Sequence, residues 1–388
     1  MTDTYTTITQ DSWFSRIGQS LGGTLFGLLL FLIAFVILFI NEGRAVNTHK
    51  MLQEGAGMVV AVDNARVDSA NEGQLIHVSG RADTKDSLND PVFKVGVTAI
   101  QLKRTVEMLQ WQENKSSTTT KNLGGSTETE TTYRYKKAWS ERPIDSSQFH
   151  ESGYQNPEAM AFESMTWQAN TVTVGAFHLT HHQISRINKF EKFPLTDKNK
   201  LKKKIAGKSR IEDGQLYLGS KAHNEVGDLR VQMQVVYPTD VSIISAQAGN
   251  SFKPYQTKVG KNISMLSMGI KPATDMFASA EAANQTLTWM LRGVGLLVMF
   301  FGLKLMVKIF SVLADVVPLF GNIIGGGTSI IAFLVALVLS LITISVAWMF
   351  YRPLLSGGLL AVSLLVFWLI QSRAKKVPAV VDGVPAST

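Results

Sequence analysis

The sequence predicts an α+β membrane protein with four transmembrane helices and a large β-rich domain outside the membrane. Three observations predict this class. An uncharged apolar run lies near the N-terminus, three further apolar runs fill the last quarter of the chain, and the residues between them alternate polar and apolar side chains. One transmembrane helix is therefore expected at the N-terminal side and three at the C-terminal side, with the domain between the first and second helices.

The first transmembrane helix is predicted at 18–40, a segment without a charged residue. An α-helix rises about 1.5 Å per residue, so this segment can cross the hydrocarbon core, which needs about 20 apolar residues. The apolar run is longer than that of a signal peptide, and no small-residue cleavage motif follows it. We therefore expect a retained membrane anchor.

The same criterion predicts transmembrane helices at 287–308, 328–350 and 353–370. The last two are separated only by Tyr351 and Arg352, with Pro353 opening the final span, so these three residues are expected to set a tight antiparallel hairpin.

The segment 309–327, between the second and third predicted spans, is apolar but contains Asp315, Pro318 and consecutive glycines. These breaks favour an interfacial or re-entrant segment over a further helix. The sequence alone leaves open which of the two it is.

Basic residues in the short loops predict the orientation. Arg16, Lys304 and Lys308 flank the spans, and the tail 371–388 carries three more basic residues. Because such residues concentrate on the cytoplasmic side, the tails 1–17 and 371–388 are expected in the cytoplasm. The domain 41–286 would then lie on the opposite side, in a periplasm or an organelle lumen.

The domain 41–286 reads as β-rich and is long enough to hold one domain or two related tandem β-units. Two amphipathic stretches, around 100–108 and 133–139, flank a polar Ser/Thr-rich segment, which predicts a long hairpin with a flexible tip. Further strands are predicted at 58–62, 75–78, 92–97, 171–176, 216–218, 229–236 and 241–246, and helices at 157–164, 178–190 and 274–286.

The chain has no cysteine and a formal net charge of +8, and both facts limit its function. Thiolate chemistry is excluded. A domain outside the cytoplasm meets no nucleic acid, so anionic lipids are the expected counter-charge. A basic tract could contact their headgroups, although such runs are more often solvated. It comprises Lys198, Lys200, Lys202, Lys203 and Lys204.

Candidate catalytic chemistry is sparse. His178, His181 and His182 form a cluster whose first and last members would share a face if helical, but the glutamate of H-E-x-x-H is missing and no third ligand is evident. A polar helix surface is therefore favoured over a metal site. In the absence of a P-loop, a nucleophile elbow or paired carboxylates, we expect no enzyme, no cofactor and no metal.

Small residues in the spans predict close helix packing, within one chain or between copies. Other residues are expected to organise structure. Asn41, Glu42 and Arg44 would fix the exit of the first helix at the interface, with the arginine on a lipid phosphate, and Asp228 and Arg230 would pair or cap strands. The packing residues are Gly23 and Gly27 in the first span and Ala332, Ala336 and Ser340 in the third.

Six sequence blocks spread from the first span to the last hairpin resemble the transmembrane protein 43 family, also called LUMA. They are FINEGRA at 39–45, NEGQLIHV at 71–78, LKRTVEMLQW at 102–111, NPEAMAFES at 156–164, VGDLRV at 226–231 and WMFYRPL at 348–354. The resemblance implies the same four-span architecture and no catalytic site. It also implies a scaffold that self-associates and holds other membrane proteins, with a conductance role as a further proposal for the family. For a eukaryotic member it implies the endoplasmic reticulum or inner nuclear membrane, with the large domain in the lumen.

The sequence thus predicts a membrane scaffold that self-associates and organises membrane proteins or lipid domains. The alternative is an ion channel or transporter subunit that uses the segment around Asp315. A metal-dependent receptor or enzyme is a third and weaker alternative. The missing cysteines and the Ser/Thr-rich tip favour a bacterial member of the resembled family, located in the inner membrane.

Overall fold

The computed structural model describes residues 4–195, 209–220, 224–315 and 318–354, and single residues beyond. The lysine tract 198–204, the tail 371–388 and most of the predicted fourth span at 353–370 lie outside the described residues. By its contacts the chain divides into two compact units. The β-rich unit comprises Met1–Ser15 and His49–Ala283, and the helical unit comprises Arg16–Thr48 and Asn284–Thr388.

Three of the helices are long and apolar enough to cross a membrane, which confirms an apolar helical part beside a large β-rich domain. The predicted spans 18–40, 287–308 and 328–350 each lie inside one of them. Four helices are described: α1 (Trp13–Met58), α2 (His181–Ser185), α3 (Ala273–Ala314) and α4 (Pro318–Tyr351).

Helix α1 runs well beyond the predicted end at residue 40. It begins at Trp13, where the Ser12 hydroxyl accepts a hydrogen bond from the Ser15 amide, and it continues to Met58. Its last turns stay helical because Leu52 is buried in an apolar cluster of the β-rich unit with Leu75 and Phe277. The strand predicted at 58–62 is accordingly reduced to Val60–Ala61.

Most of the segment 309–327 is helical, whereas the sequence predicted that Asp315, Pro318 and the consecutive glycines would interrupt a further helix. Residues 309–314 complete α3, a turn follows at Asp315, and α4 starts at Pro318. Proline is compatible with the first helical position, where its missing N–H has no helical partner to lose. The consecutive glycines stay helical because a backbone in apolar surroundings must bond internally.

The helical unit packs around small and branched side chains. Ala34 and Leu38 of α1, Met299 of α3 and Ala336 of α4 form its fully buried core. Large apolar side chains cover the outside instead, including Leu25 at 72% exposure and Phe350 at 70%. This inversion is typical of helices that are solvated by lipid.

The β-rich unit contains two large sheets. Its strands are β1 (Thr4–Asp11), β2 (Val60–Ala61), β3 (Leu75–Asp83), β4 (Ser87–Asp90), β5 (Val95–Thr98), β6 (Gln101–Lys121), β7 (Thr127–Ser140), β8 (Met165–Gln168), β9 (Thr173–Val174), β10 (Phe177–His178), β11 (Glu191–Phe193), β12 (Ser209–Glu212), β13 (Gln215–Leu218), β14 (Leu229–Val236), β15 (Thr239–Ala248), β16 (Ser251–Lys253), β17 (Tyr255–Gln256), β18 (Asn262–Ile263) and β19 (Met265–Met268).

The eight-stranded sheet has the order β1-β7-β6-β14-β13-β12, with β8 on β6 and β11 on β14. The seven-stranded sheet has the order β10-β9-β3-β15-β16, with β2 on β3 and β19 on β15. Each sheet has its own apolar core, one around Leu102 and Val231 and the other around Ile76 and Ile243. The tandem-unit hypothesis rests on the similarity of segments 71–78 and 224–231. These segments lead into β3 and β14, which lie in different sheets.

The predicted hairpin is confirmed as β6 and β7, paired from Met108 and Ser140 to Lys121 and Thr127. Its flexible tip is much shorter than expected, because the Ser/Thr-rich residues pair across the strands. The Thr119 and Thr129 hydroxyls, for example, are 3.0 Å apart. The strands predicted at 75–78, 216–218, 229–236 and 241–246 are confirmed within β3, β13, β14 and β15.

Some local predictions are wrong. Residues 157–164 form no helix, and in 178–190 only α2 is helical. The strand predicted at 92–97 starts at Val95, because the Asp90 carboxylate accepts hydrogen bonds from the amides of Val92 and Phe93 and turns the chain there. The predicted helix at 274–286 is confirmed as the start of α3.

Part of the expected cytoplasmic tail 1–17 is a β-strand, which differs from the prediction. Strand β1 pairs antiparallel with β7 in register from Thr4 and Arg134 to Asp11 and Thr127. Strands of one hydrogen-bonded ladder lie in one compartment. The pairing therefore conflicts with the expectation that 1–17 and 41–286 lie on opposite sides of the membrane.

Candidate functional site

The helical unit contains buried and partly buried polar side chains from all three long helices, which we call the polar cluster. On α3 its members are spaced four residues apart, so they share one helix face. The members are Asn41, Glu42 and Arg44 on α1, Asn284, Thr288 and Arg292 on α3, and Trp348 on α4.

Glu42 joins the three helices. Its side chain is fully buried, and its two oxygens accept hydrogen bonds from Arg292 Nε at 2.7 Å and Arg292 Nη2 at 2.9 Å. The Trp348 indole N–H donates to the same carboxylate at 2.8 Å. A bidentate arginine–carboxylate pair is among the strongest hydrogen-bonded arrangements and fixes the orientation of both groups.

Aromatic rings cover the Arg292 guanidinium. Its Cζ lies 4.6 Å from the Trp289 ring centroid and 5.8 Å from that of Trp348. The ring faces attract the cation and exclude lipid chains from it. Arg292 lies within the span predicted at 287–308, and its charge is neutralised there by the pair with Glu42.

Asn41 and Arg44 complete the polar cluster. The Asn41 amide donates to the Thr288 carbonyl at 3.1 Å, and Arg44 donates to Asn284 at 3.0 Å and to the Thr288 hydroxyl at 2.8 Å. The Asn284 amide in turn donates to the carbonyl of Ala45. The sequence predicted that Arg44 contacts a lipid phosphate. In the structure its guanidinium donates to side chains of α3.

The predicted hairpin residues lie at the end of α4. Tyr351 packs on Gly43 of α1, where an added Cβ would lie 2.6 Å from the tyrosine ring, and on the ring of Phe39. The amide of Arg352 donates to the Trp348 carbonyl at 2.8 Å, which closes the last turn. Pro353 follows directly, and most of the span predicted after it lies outside the described residues.

A second buried ion pair joins Arg16 of α1 to Asp315, which follows α3. Asp315 is 1% exposed. This is the residue on which the channel alternative depends, and the structure shows it paired with a cation. Each buried carboxylate of the described helical unit is thus held by an arginine.

The small residues that predicted helix packing are found in different environments. Gly27 faces α3, since a Cβ there would meet the Gly302 carbonyl at 2.7 Å, whereas a Cβ on Gly23 would meet no atom within 4 Å. The three positions on α4 are buried inside the helical unit, and the Ser340 hydroxyl lies 3.5 Å from Met299 Sδ. These positions are Ala332, Ala336 and Ser340.

In the β-rich unit, Asp228 and Arg230 have separate partners. Asp228 is buried and accepts hydrogen bonds from the Ser220 amide and hydroxyl and from the Glu225 amide. Arg230 pairs with Glu107 across the β6–β14 ladder at 2.6 Å and covers the Trp139 ring. Asp228 therefore orders the loop before β14, and Arg230 connects β14 to β6.

The histidine cluster does not form a shared face, because His178 ends strand β10 and only His181 and His182 lie on α2. Within the described part of the chain, no three histidine, aspartate or glutamate side chains could hold a metal ion together.

The sequence analysis missed one buried pair in the β-rich unit. Arg104 donates to the Asp90 carboxylate at 2.7 Å, with side-chain exposures of 6% and 0%. The signal was present in the alternation of β6, because Arg104 shares the core-facing parity of Leu102 and Val106. An arginine in an apolar register requires a buried acceptor.

The helices, the polar cluster and the two sheets together define an integral membrane protein with several spans and a large extramembrane β-rich domain. The comparisons with known proteins agree with this class. The family model described as Transmembrane protein 43 matches residues 108–353. The chain belongs to this family.

Curated relatives extend the similarity beyond that region. The chain is 35% identical to human (Homo sapiens) Transmembrane protein 43 over 93% of either chain. It is 34% identical to the rat (Rattus norvegicus) protein over 89% of this chain and 88% of the relative. A fruit fly (Drosophila melanogaster) homolog is 28% identical over 83% of this chain and 87% of the relative. No solved structure matches. These relatives are animal proteins, and the bacterial source stays a prediction from composition.

Proposed function

We propose that the protein is an integral membrane scaffold that self-associates, carries no catalysis, and organises membrane proteins or lipid domains around its β-rich unit. The observation that carries this proposal is the Glu42 carboxylate, on which α3 and α4 converge through Arg292 and Trp348. An unpaired charge in hydrocarbon is unfavourable, so separating these helices would be strongly opposed. Buried ion pairs can thereby specify one arrangement of their elements.

A fixed helical arrangement suits an anchor better than a transport path. A transporter alternates between helix arrangements, and ion pathways are lined by ionisable groups that face a cavity. Here Glu42 and Asp315 are each bound by an arginine. The expected partners of such an anchor are membrane lipids, further copies of the chain and other membrane proteins.

Self-association can be measured by energy transfer between copies in liposomes. Because the chain has no cysteine, the exposed position Lys85→Cys takes a single label. We expect transfer between donor-labelled and acceptor-labelled copies to persist when lipid dilutes the protein a hundredfold. Transfer that falls with dilution, as for a monomeric membrane protein at equal density, would refute self-association.

A pair of glycine variants tests which surface mediates the contact. An added Cβ at Gly23 of α1 or at Gly293 of α3 would meet no atom within 4 Å, so both positions have open space next to the backbone within one protomer. We expect Gly23→Ile to lower the energy transfer and Gly293→Ile to leave it unchanged. Equal energy transfer in the two variants would show that the surface around Gly23 does not mediate the contact between copies.

The channel alternative has its own measurement. Conductance in reconstituted bilayers that disappears in Asp315→Asn would support an ion path at that residue, provided that Arg16→Gln keeps it. We expect no conductance, since Asp315 is engaged by Arg16.

For the topology, we propose that the β-rich domain lies in the periplasm or lumen and that the C-terminal tail is cytoplasmic, on the bias of the basic residues. For residues 1–17 the two observations disagree. The basic residues favour the cytoplasm, whereas the pairing of β1 with β7 favours the compartment of the β-rich domain. A cysteine pair at Thr6 and Thr132, which are partners in register, decides between them.

We expect Thr6→Cys with Thr132→Cys to cross-link on oxidation in intact membranes, and Thr6→Cys with Lys85→Cys not to do so. Failure of the first pair, with labelling of the two cysteines from opposite sides, would show that 1–17 is a tail across the membrane.

A further inference from the structure

A cavity of about 330 Å³ opens on the helical unit between the C-terminal part of α3 and the N-terminal part of α4, and most of its lining surface is apolar. Its lining combines basic, hydroxyl and apolar side chains. They include Lys304, Lys308 and Ser311 from α3, Thr328 and Ser329 from α4, and Phe301.

The charge of this cavity is the first argument for a ligand. Lys304 and Lys308 are one helical turn apart, so their ammonium groups share a face and repel each other. The described lining contains no carboxylate. Asp315, farther along the chain, is already bound by Arg16. Lys304 Nζ lies 5.8 Å from the centroid of the Phe300 ring, but no carboxylate of the described lining balances the two lysine charges. An anion from outside the chain would balance them.

The depth of the cavity in the membrane is the second argument. Lys308 follows Arg292 by 16 residues, which corresponds to about 24 Å along a helix axis. A hydrocarbon core is about 30 Å thick, so the cavity and the polar cluster lie toward opposite headgroup regions. Lysines at this depth face phosphate esters, and basic pockets between helices are known sites for anionic headgroups.

The surroundings of the cavity suit a lipid. Phe301 in the lining is 50% exposed, and neighbouring side chains of α4 are equally accessible, with Ile330 at 65% and Ile331 at 62%. Acyl chains can pack on these side chains while a phosphate lies between the lysines. The cavity volume falls within the range of about 300–1,000 Å³ that is usual for small-molecule sites.

We propose that this cavity binds the phosphate group of an anionic phospholipid, with Lys304 and Lys308 as the charged contacts and the hydroxyls as its polar wall. The site is distinct from the Lys198–Lys204 tract that the sequence suggested for headgroups. It does not depend on self-association, and occupancy and energy transfer are separate measurements.

Native mass spectrometry of the full chain, released from detergent with added lipid, tests the proposal. We expect phosphatidylglycerol to remain bound at a defined stoichiometry, with phosphatidylcholine retained far less. Lys304→Gln with Lys308→Gln should weaken phosphatidylglycerol binding about thirty-fold, since a lysine near anionic headgroups contributes about five-fold. Lys304→Arg with Lys308→Arg should keep the binding.

The matched control is Lys253→Gln with Lys258→Gln, which removes the same charge from exposed positions of the β-rich unit. Equal losses in the two glutamine variants, equal retention of the two lipids, or binding of inorganic phosphate without retention of phosphatidylglycerol would each overturn the proposal. If the double variant at the cavity fails to fold, the single variants Lys304→Gln and Lys308→Gln give the same comparison.

Discussion

Each unit of the molecule buries one arginine between two aromatic rings and against a carboxylate. In the helical unit Arg292 lies between Trp289 and Trp348 and binds Glu42. In the β-rich unit Arg104 lies 5.2 Å from the Phe93 ring centroid and 5.3 Å from that of Trp167, and it binds Asp90. The chemistry is the same, but the surroundings differ.

The two pairs join different kinds of elements. Asp90 and Arg104 are close in sequence, and Asp90 also accepts two amide hydrogen bonds from the turn after β4. Glu42 and Arg292 are far apart in sequence and belong to separate helices. The first pair therefore stabilises a local turn against a strand, whereas the second connects distant parts of the chain. An arginine–carboxylate pair therefore stabilises a single turn in the β-rich unit, whereas in the helical unit it holds separate helices together.

The largest effect is expected for Arg292→Leu. It leaves Glu42 buried without its cation, and removing one partner of a buried pair costs about 3–5 kcal/mol. Hydrogen exchange of α1, α3 and α4 in detergent should show helix opening that is easier by this amount. Adding Glu42→Gln should restore part of the loss, and a double variant as unstable as Arg292→Leu would contradict a specific pair.

Arg104→Leu should be destabilising by a smaller amount, about 3 kcal/mol, at the lower end of the same range. Asp90 keeps its amide hydrogen bonds and can be reached by water when the β4–β5 turn opens. Exchange of the amides in β4, β5 and β6 should report the loss, while α3 and α4 stay protected. Lys103→Leu, on the other face of β6, is the control and should have little effect.

Gly27→Ala tests close packing in the helical unit. Its Cβ would lie 2.7 Å from the Gly302 carbonyl, which is too close, so α1 must shift. Forcing a group into a packed interface costs about 1–3 kcal/mol. The thermal midpoint in detergent should fall for Gly27→Ala, while Gly23→Ala, whose Cβ meets no atom within 4 Å, should not lower it.

The smallest effect is a pH dependence in the β-rich unit. Burial lowers the pKa of His77, and the hydrogen bond of its Nε2 with the Lys271 carbonyl at 2.9 Å opposes this in part. The unfolded chain then binds more protons just below the ordinary pKa of about 6.5, so stability decreases as the pH falls through that region. His77→Gln should flatten the dependence of thermal stability between pH 7 and 5, and an unchanged slope would contradict this role.

Periodicity carried most of the successful sequence predictions. The apolar runs of α1, α3 and α4 and the alternation in β6, β14 and β15 report on burial directly, because lipid and a sheet face select side chains by polarity. Local signals were less reliable. The glycines of 309–327 were expected to interrupt a helix, but they lie within α4, because a backbone in apolar surroundings bonds internally. The helix predicted at 178–190 is limited to α2, and Phe177 and Ile187 on either side of it lie in the apolar core.

The sequence by itself determined that this chain has long apolar helices, a β-rich domain and the blocks of its family. Those features are local, and each is a property of consecutive residues. The tertiary structure alone decided that Glu42 joins Arg292 and Trp348, that Arg16 binds Asp315, and that β1 pairs with β7. These partners are far apart in the chain, so no local pattern predicts them. A charged residue next to an apolar run indicates that it needs a partner, but it does not indicate which residue that partner is.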